Sequence, residues 1–244
     1  MQPRQRRPDP SVTEEFRRIE LKFIIAPRRV EIVRSWLRHV ARPPADFPAG
    51  LVSSCYYDTA DWDCYFASVD GDLRKRKVRL RWYDEVPGGA EAPAYLEVKE
   101  KEGLVTWKRR SRVNVHAREL RERNLDEALP SPELEEALAA VGVFDTRALG
   151  PAVIVRYRRD RFVESWSGLR LSLDTAIRAE AVGTRAGPPP VRFPSCVLEV
   201  KGWMEDIPPR LRGIRRFADL WSAHSKYALA VESLAGVVGP GGPM

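Results

Sequence analysis

Four short segments place two charged residues around a single aliphatic neighbour: Glu20-Leu21-Lys22, Arg79-Leu80-Arg81, Glu97-Val98-Lys99 and Glu199-Val200-Lys201. In an extended strand residues i and i+2 share a face, so each segment turns one apolar and one charged side. Joined in one sheet, such strands would line an ionic cavity. The chemistry that suits it is phosphate handling. Arg forks and Lys ammonium groups grip phosphate oxygens, and interspersed Glu20, Glu97 and Glu199 supply the hard oxygens that Mg2+ or Mn2+ takes beside phosphates.

The ordinary reading of any one such segment is a solvated sheet face with paired charges. Against it stands the basic excess. The strand-like segments carry Lys22, Lys77, Arg79, Arg81, Lys99, Lys101, Lys108, Arg110, Arg159, Arg161, Arg170 and Lys201 against few carboxylates, and with little of the Ser, Thr, Gln and Asn a wet face would share. Two like charges about 4 Å apart repel by roughly 4 kcal/mol at an effective dielectric near 20. An inward-facing cluster of this kind calls for an anion.

The whole chain agrees in sign, with 41 Lys and Arg against 34 Asp and Glu and a net charge of +7 over 244 residues. A basic balance favours nucleic acid, a phosphorylated metabolite or a membrane surface. Trp36, Trp62, Trp82, Trp107, Trp166, Trp203 and Trp221 are scattered rather than grouped with basic residues, which argues against a nucleic-acid surface. No stretch approaches the roughly 20 apolar residues needed to cross a bilayer. Cys55, Cys64 and Cys196 form no CxxC pair, so a reducing cytoplasm is expected. There is no GxxxxGKS/T loop, GxSxG elbow or HExxH motif, and His39, His116 and His224 are isolated.

The elements that must position these residues are mostly strands. Arg17 to Ile25 alternates and stops at Pro27; Val30, Val33, Leu37 and Val40 then mark an amphipathic helix ended by Pro43-Pro44. Strands follow at 51–58, 77–83, 95–101, 104–115, 152–164, 169–174 and 196–201. The loop 84–93 and the Glu102-Gly103 turn separate the middle ones. Ser131-Pro132 opens a second helix that Gly142 closes. Leu211, Ile214, Phe217 or Ala218, and Trp221 are spaced for a long last helix. Asp58 and Asp174 each precede Thr and suit either turns or support of nearby basic residues. The expected class is α+β: about eight antiparallel strands with helices around them. Residues 15–235 read as one domain between a flexible basic leader, 1–14, and a flexible tail, 236–244.

Taken in order, IELKFII, SSCYYDTADWDCY, KVRLRWY, YLEVKEK, the YRR of Tyr157 to Arg159, LRLSLDT, CVLEVKG and HSKYAL resemble one family. It is the VTC-type polyphosphate polymerase domain of the triphosphate tunnel metalloenzyme (CYTH-like) superfamily. The resemblance implies an eight-stranded antiparallel β-barrel whose lumen binds phosphate chains. Carried over by motif, it makes Lys22, Arg79, Arg81, Lys99, Arg159, Arg170 and Lys201 catalytic phosphate contacts. Lys108, Arg110 and Lys226 become substrate-binding positions, with the choice among Lys108, Arg109 and Arg110 open. It makes Glu199 the metal carboxylate, with Glu20 and Glu97 as metal or water partners for Mn2+ or Mg2+.

Hydrolytic members of the superfamily carry ExExK on the first strand, where this chain reads Arg18-Ile19-Glu20-Leu21-Lys22. An arginine there removes a carboxylate and adds phosphate-binding charge. The implied activity is polyphosphate synthesis from ATP with release of ADP. A triphosphatase of the same superfamily and a non-catalytic polyphosphate-binding module are the alternatives. The implied partners are ATP and polyphosphate or triphosphate, without nucleic acid or stable membrane insertion; a membrane partner protein is left open.

Overall fold

The computed structural model describes residues 19–83, 94–103, 105–113, 131–142, 149–182, 189–203, 206–221 and 225–235. Along the chain come β1 (Ile19–Ile25), a 3-10 turn (Pro27–Arg29), α1 (Val30–Val40), β2 (Ala41–Arg42), β3 (Ala49–Asp58) and α2 (Asp63–Val69). Then follow β4 (Arg74–Tyr83), β5 (Ala94–Glu102), β6 (Val105–Val113), α3 (Ser131–Ala140), β7 (Gly150–Glu164) and β8 (Arg170–Ala181). The chain continues through β9 (Val191–Arg192), β10 (Cys196–Gly202), a 3-10 segment (Pro209–Arg216), β11 (Ala218–Trp221) and α4 (Lys226–Ala235). The strands form one antiparallel sheet in the order β11-β1-β10-β8-β7-β3-β4-β5-β6, with β2 on β7 and β9 on β8.

This sheet is strongly curled. Six strand intervals separate β1 from β5, and a flat sheet with intervals of ~4.8 Å would hold them about 29 Å apart. Lys99 Nζ on β5 nevertheless lies 3.4 Å from Glu20 Oε2 on β1. The longer strands β1, β3, β4, β5, β6, β7, β8 and β10 thus make an antiparallel half-barrel, with β2, β9 and β11 as short additions.

Alternation then sorts the side chains. On the convex side α1 and the 3-10 segment bury Val33, Leu37, Leu211 and Ile214 against Phe23, Leu171, Leu173, Leu198 and Val200. Helix α3 places Ala137, Leu138 and Val141 over Val78, Leu80, Trp82, Leu96 and Val98. Helix α4 behaves differently and fills one end of the concave side: Tyr227, Ala228, Ala230 and Val231 pack with Val52, Tyr56, Val153, Val155 and Tyr157. Tyr227 stacks on Tyr56 with ring centroids 4.9 Å apart.

The expected long last helix is corrected. Pro208-Pro209 and Gly213 restrict the segment to 3-10 geometry, and Ala218–Trp221 pairs with the edge of β1, Phe23 facing Trp221. The helix begins afresh at Lys226. Helix α2 has no apolar periodicity to announce it; Asp58 starts it by accepting the Cys64 and Tyr65 amides at 2.8 and 3.0 Å. Strand β8 runs on to Ala181, past the expected end at Asp174, through an Ala-rich stretch of weak strand propensity. Gly103 (φ +57) closes the β5–β6 turn as expected. The loop 84–93, the leader 1–14 and the tail 236–244 lie outside the described residues.

Candidate active site

Register turns the alternating charges into one surface. Across neighbouring strands Lys22 faces Glu199, Glu199 faces Ser172, and Arg159 faces Asp174. On the other side Ser54 faces Arg81, Arg79 faces Glu97, and Glu97 faces Arg110. Residues directly opposite each other in a sheet lie on the same face, and the Lys99–Glu20 contact makes this face the concave one.

The carboxylates at the centre of the lining are enclosed, while lysines such as Lys99 and Lys201 keep a third to a half of their surface. Glu97 keeps 4% of its side-chain surface, Glu199 6% and Asp174 none. Charges buried to this degree survive only when paired, and their partners define two centres.

At the first centre Glu97 takes Arg79 Nη2 at 2.6 Å, Arg81 Nη1 at 3.6 Å and Lys108 Nζ at 3.2 Å. Burial alone would raise its carboxyl; the three cations overcome it and hold Glu97 well below the usual carboxylate range. Hydroxyls fix the guanidinium groups: Arg79 donates to Tyr56 Oη at 3.2 Å, and Arg81 to Ser54 Oγ and Tyr157 Oη, both at 3.2 Å. Arg110 lies beside this centre with its guanidinium 3.3 Å from the Tyr95 ring centroid. Its buried Nε has no hydrogen-bond partner.

At the second centre Arg159 forks onto Asp174 at 2.6 and 2.7 Å and reaches Glu199 at 3.1 Å. Lys226, the first residue of α4, bridges the same carboxylates at 2.7 and 3.2 Å, and Lys201 joins Glu199 at 2.8 Å. Burial opposes the charge on Glu199, but Lys201, Lys226 and Arg159 keep it well below the ordinary carboxylate value. Glu20 ties the half-barrel together by meeting Lys22, Lys99 and Lys201 at 3.4, 3.4 and 3.8 Å. Its carboxyl is drawn down to about 2: burial and Glu199 push it up, and Lys201, Lys22 and Lys99 prevail.

The structure brings together Lys22, Arg79, Arg81, Lys99, Lys108, Arg159, Lys201, Lys226, Glu20, Glu97 and Glu199. Arg110 shares the face, and Arg170, opposite Lys201 in register, sits exposed at its rim. The open choice on β6 resolves by alternation. Lys108 and Arg110 turn inward, whereas Arg109 pairs with Glu100, which also takes Arg76. The two Asp-Thr pairs part company. Asp174 belongs to the ionic lining; Asp58 caps α2 and accepts the Tyr227 hydroxyl, tying α2 to α4.

Tyr56, Tyr157, Ser54 and Ser225 join the site without having been assigned to it, and Lys77 and Arg161, counted in the basic excess but given no role, join with them. Tyr157 and Arg161 stand two residues either side of Arg159, the spacing that carried the other assignments. Among the described histidines, His39 contacts the Ser35 carbonyl on α1; His116 and His224 lie outside the described residues.

For a divalent cation, no group of three or more His, Cys, Asp or Glu gathers among the described residues. Glu199 on β10 pushes the Glu20 carboxyl of β1 upward, and the two can offer two carboxylates. That number fits Mg2+ or Mn2+ bound largely through phosphate oxygens and water. The oxygens of Glu97 meet Arg79, Arg81 and Lys108, a counter-charge arrangement that Glu20 and Glu199 share through Lys22, Lys99, Lys201, Lys226 and Arg159.

A curled antiparallel sheet with a cation-rich concave face is a fold suited to receiving an anion. More narrowly, the chain belongs to the VTC domain family, whose model matches residues 17–235. Solved structures of similar shape include a candidate adenylate cyclase from Bacillus halodurans, 13% identical over 94% of this chain and 95% of that one, TM-score 0.49. Another is a candidate adenylyl cyclase from Hippeastrum described as having a dominant triphosphatase activity, 18% identical over 91% and 98%, TM-score 0.48. A third is an inorganic triphosphatase, 14% identical over 88% and 95%, TM-score 0.33. No curated protein matches the chain. No helix among the described residues is long and apolar enough to cross a membrane.

Proposed function

We propose that the protein lengthens polyphosphate by taking the terminal phosphoryl group of ATP and releasing ADP. The observation that carries this reading is the concave lining, where cations far outnumber Glu20, Glu97, Asp174 and Glu199. Such a cavity is matched by a rod of linked anions, and linked phosphates are one.

An ionised terminal oxygen of the acceptor chain bonds to the γ-phosphorus as the bond to the β–γ bridging oxygen breaks. ADP leaves with the electron pair. The attacking oxygen carries no proton at neutral pH, so no histidine or cysteine base is needed, and positioning and charge stabilisation do most of the catalysis. Arg79, Arg81 and Arg159 are fixed by carboxylates and hydroxyls before substrate arrives, which suits them to charge on the transferring group. Arg170 at the rim adds to it. Lys22, Lys99 and Lys201 hold flanking phosphates, and Lys108, Arg110 and Lys226 hold the chain. Glu199 and Glu20 would hold Mn2+ or Mg2+, which neutralises charge on the donor phosphates.

Incubating the protein with ATP and Mn2+ or Mg2+ tests the reading. Long polyphosphate with equimolar ADP supports it; free phosphate alone makes water the acceptor and the protein a triphosphatase. Removing a preorganised charge contact costs about a hundredfold in rate, so Arg79→Ala should fall by at least that much. Glu199→Ala should lose turnover while still binding polyphosphate. Full activity in both variants would remove the tunnel from the mechanism.

A further inference from the structure

Lys77, like Arg161, is a cation of the lining to which the mechanism assigns no task. It lies on β4 two residues before Arg79, opposite Lys99 in register, and its Nζ donates to Ser225 Oγ at 2.9 Å, just ahead of α4. Tyr56 of β3, Lys22 of β1, Lys99 of β5 and Arg79 of its own strand face it. Glu20, the carboxylate in contact with Lys22 and Lys99, is already shared with Lys201. Lys226, next to Ser225, is committed to Asp174 and Glu199. A largely buried ammonium with a hydroxyl for partner and cations for neighbours is completed by an anionic oxygen.

Position decides which anion. Lys77 and Arg81 are four residues apart on β4, about 13 Å at ~3.3 Å per residue, which exceeds the span of three linked phosphates. A triphosphate seated on Arg81 and Arg159 ends short of Lys77, whereas a longer chain running along β4 reaches it. The surroundings of Lys77 also differ in type: Lys22 and Lys99 stand beside it, whereas Arg79, Arg81 and Arg159 gather with Lys108, Lys201 and Lys226 on Glu97, Asp174 and Glu199. Arginine forks fix phosphate geometry, while lysines act as hydrated point charges on flexible stems, suited to a chain that must move on after each addition.

Resting on the reading of the lining as a phosphate tunnel, we infer that Lys77 and Ser225 form a chain-holding subsite for condensed phosphate beyond the units gripped by the arginines. Burial, reinforced by Lys22, Lys99 and Arg79 and opposed by Tyr56, draws the Lys77 ammonium down to about 8. Its charge is full below that value and is lost as pH rises through it.

Calorimetric titration of wild type, Lys77→Gln and Lys77→Arg with inorganic triphosphate and with long-chain polyphosphate, at about pH 7 and about pH 9, tests this. In Lys77→Gln the ratio of long-chain to triphosphate affinity should fall about tenfold, the worth of one charged hydrogen bond. The wild-type ratio should fall between the two pH values, and that of Lys77→Arg should not. An unchanged ratio in Lys77→Gln, or equal pH behaviour of wild type and Lys77→Arg, overturns the subsite. If Lys77→Gln fails to fold, the Lys77→Arg pH comparison decides. A wild type that binds neither ligand overturns the tunnel reading itself.

Discussion

Replacing Glu97 by Gln preserves side-chain size and removes the one negative charge shared by Arg79, Arg81 and Lys108. Breaking a buried pair from one side typically costs 3–5 kcal/mol, about the desolvation left uncompensated on the partner. Glu97 keeps 4% exposure and Arg81 10%, so water cannot replace the lost carboxylate; Lys108, at 34%, recovers part of its hydration. The expected loss is therefore about 3 kcal/mol, near the lower bound. For a chain of this size that lowers the melting temperature by roughly 6–12 °C. The assay is thermal and urea unfolding, with and without inorganic triphosphate. Triphosphate at about 100 times its Kd stabilises any protein that binds it by about 2.7 kcal/mol. Glu97→Gln should gain more than wild type at equal concentration, because the ligand supplies the missing negative charge. Wild-type stability in Glu97→Gln, or a triphosphate benefit no greater than in wild type, would refute the counter-charge argument.

Two further outcomes test the frame around the site. Asp58→Ala strips the acceptor from the Cys64 and Tyr65 amides and from the Tyr227 hydroxyl; with buried donors costing about 1–3 kcal/mol each, unfolding free energy should drop by about 3 kcal/mol in a urea titration. The Glu20 carboxyl sits at about 2 in the folded chain against an ordinary 4.5. A lowered folded value gives stability that is present above the ordinary pKa and lost as pH falls toward the folded one. Wild type should thus lose up to about 3 kcal/mol more than Glu20→Gln between about pH 5 and about pH 2, and parallel pH profiles would show that the Glu20 ion pairs contribute nothing.

What was legible in the chain was what alternation alone decides. Arg79/Arg81 and Glu199/Lys201 could be placed on one face because a strand has period two and their partners are apolar. Register was not legible, and it settles the rest. Three consecutive basic residues, Lys108, Arg109 and Arg110, look alike until pairing with β5 sends Arg109 outward. Asp58 and Asp174 share an Asp-Thr dipeptide, yet one caps a helix and the other neutralises Arg159, because strand position rather than local sequence chooses their neighbours. Leu211, Ile214 and Trp221 are helically spaced, but the open edge of β1 offers backbone hydrogen bonds to Ala218–Trp221 that periodicity cannot foresee. The plug formed by α4, which brings Lys226 and Ser225 into the lining, was hidden for the same reason.

The four carboxylates of the lining, Glu97, Asp174 and Glu199 buried and Glu20 partly exposed, solve a problem that the cations create. Without them the lining would repel itself by several kcal/mol per close pair, and the empty half-barrel would open before any substrate arrived. With as many carboxylates as cations, no charge would be left to attract phosphate. Glu97 and Asp174 each immobilise an arginine fork at 2.6 Å, so the arginine geometry exists in advance, while Glu20 holds Lys22 and Lys99 at 3.4 Å. For the polymerase proposed above, the tight arginine pairs would grip the phosphoryl group that changes partners, and the looser lysine contacts would let the product chain move on.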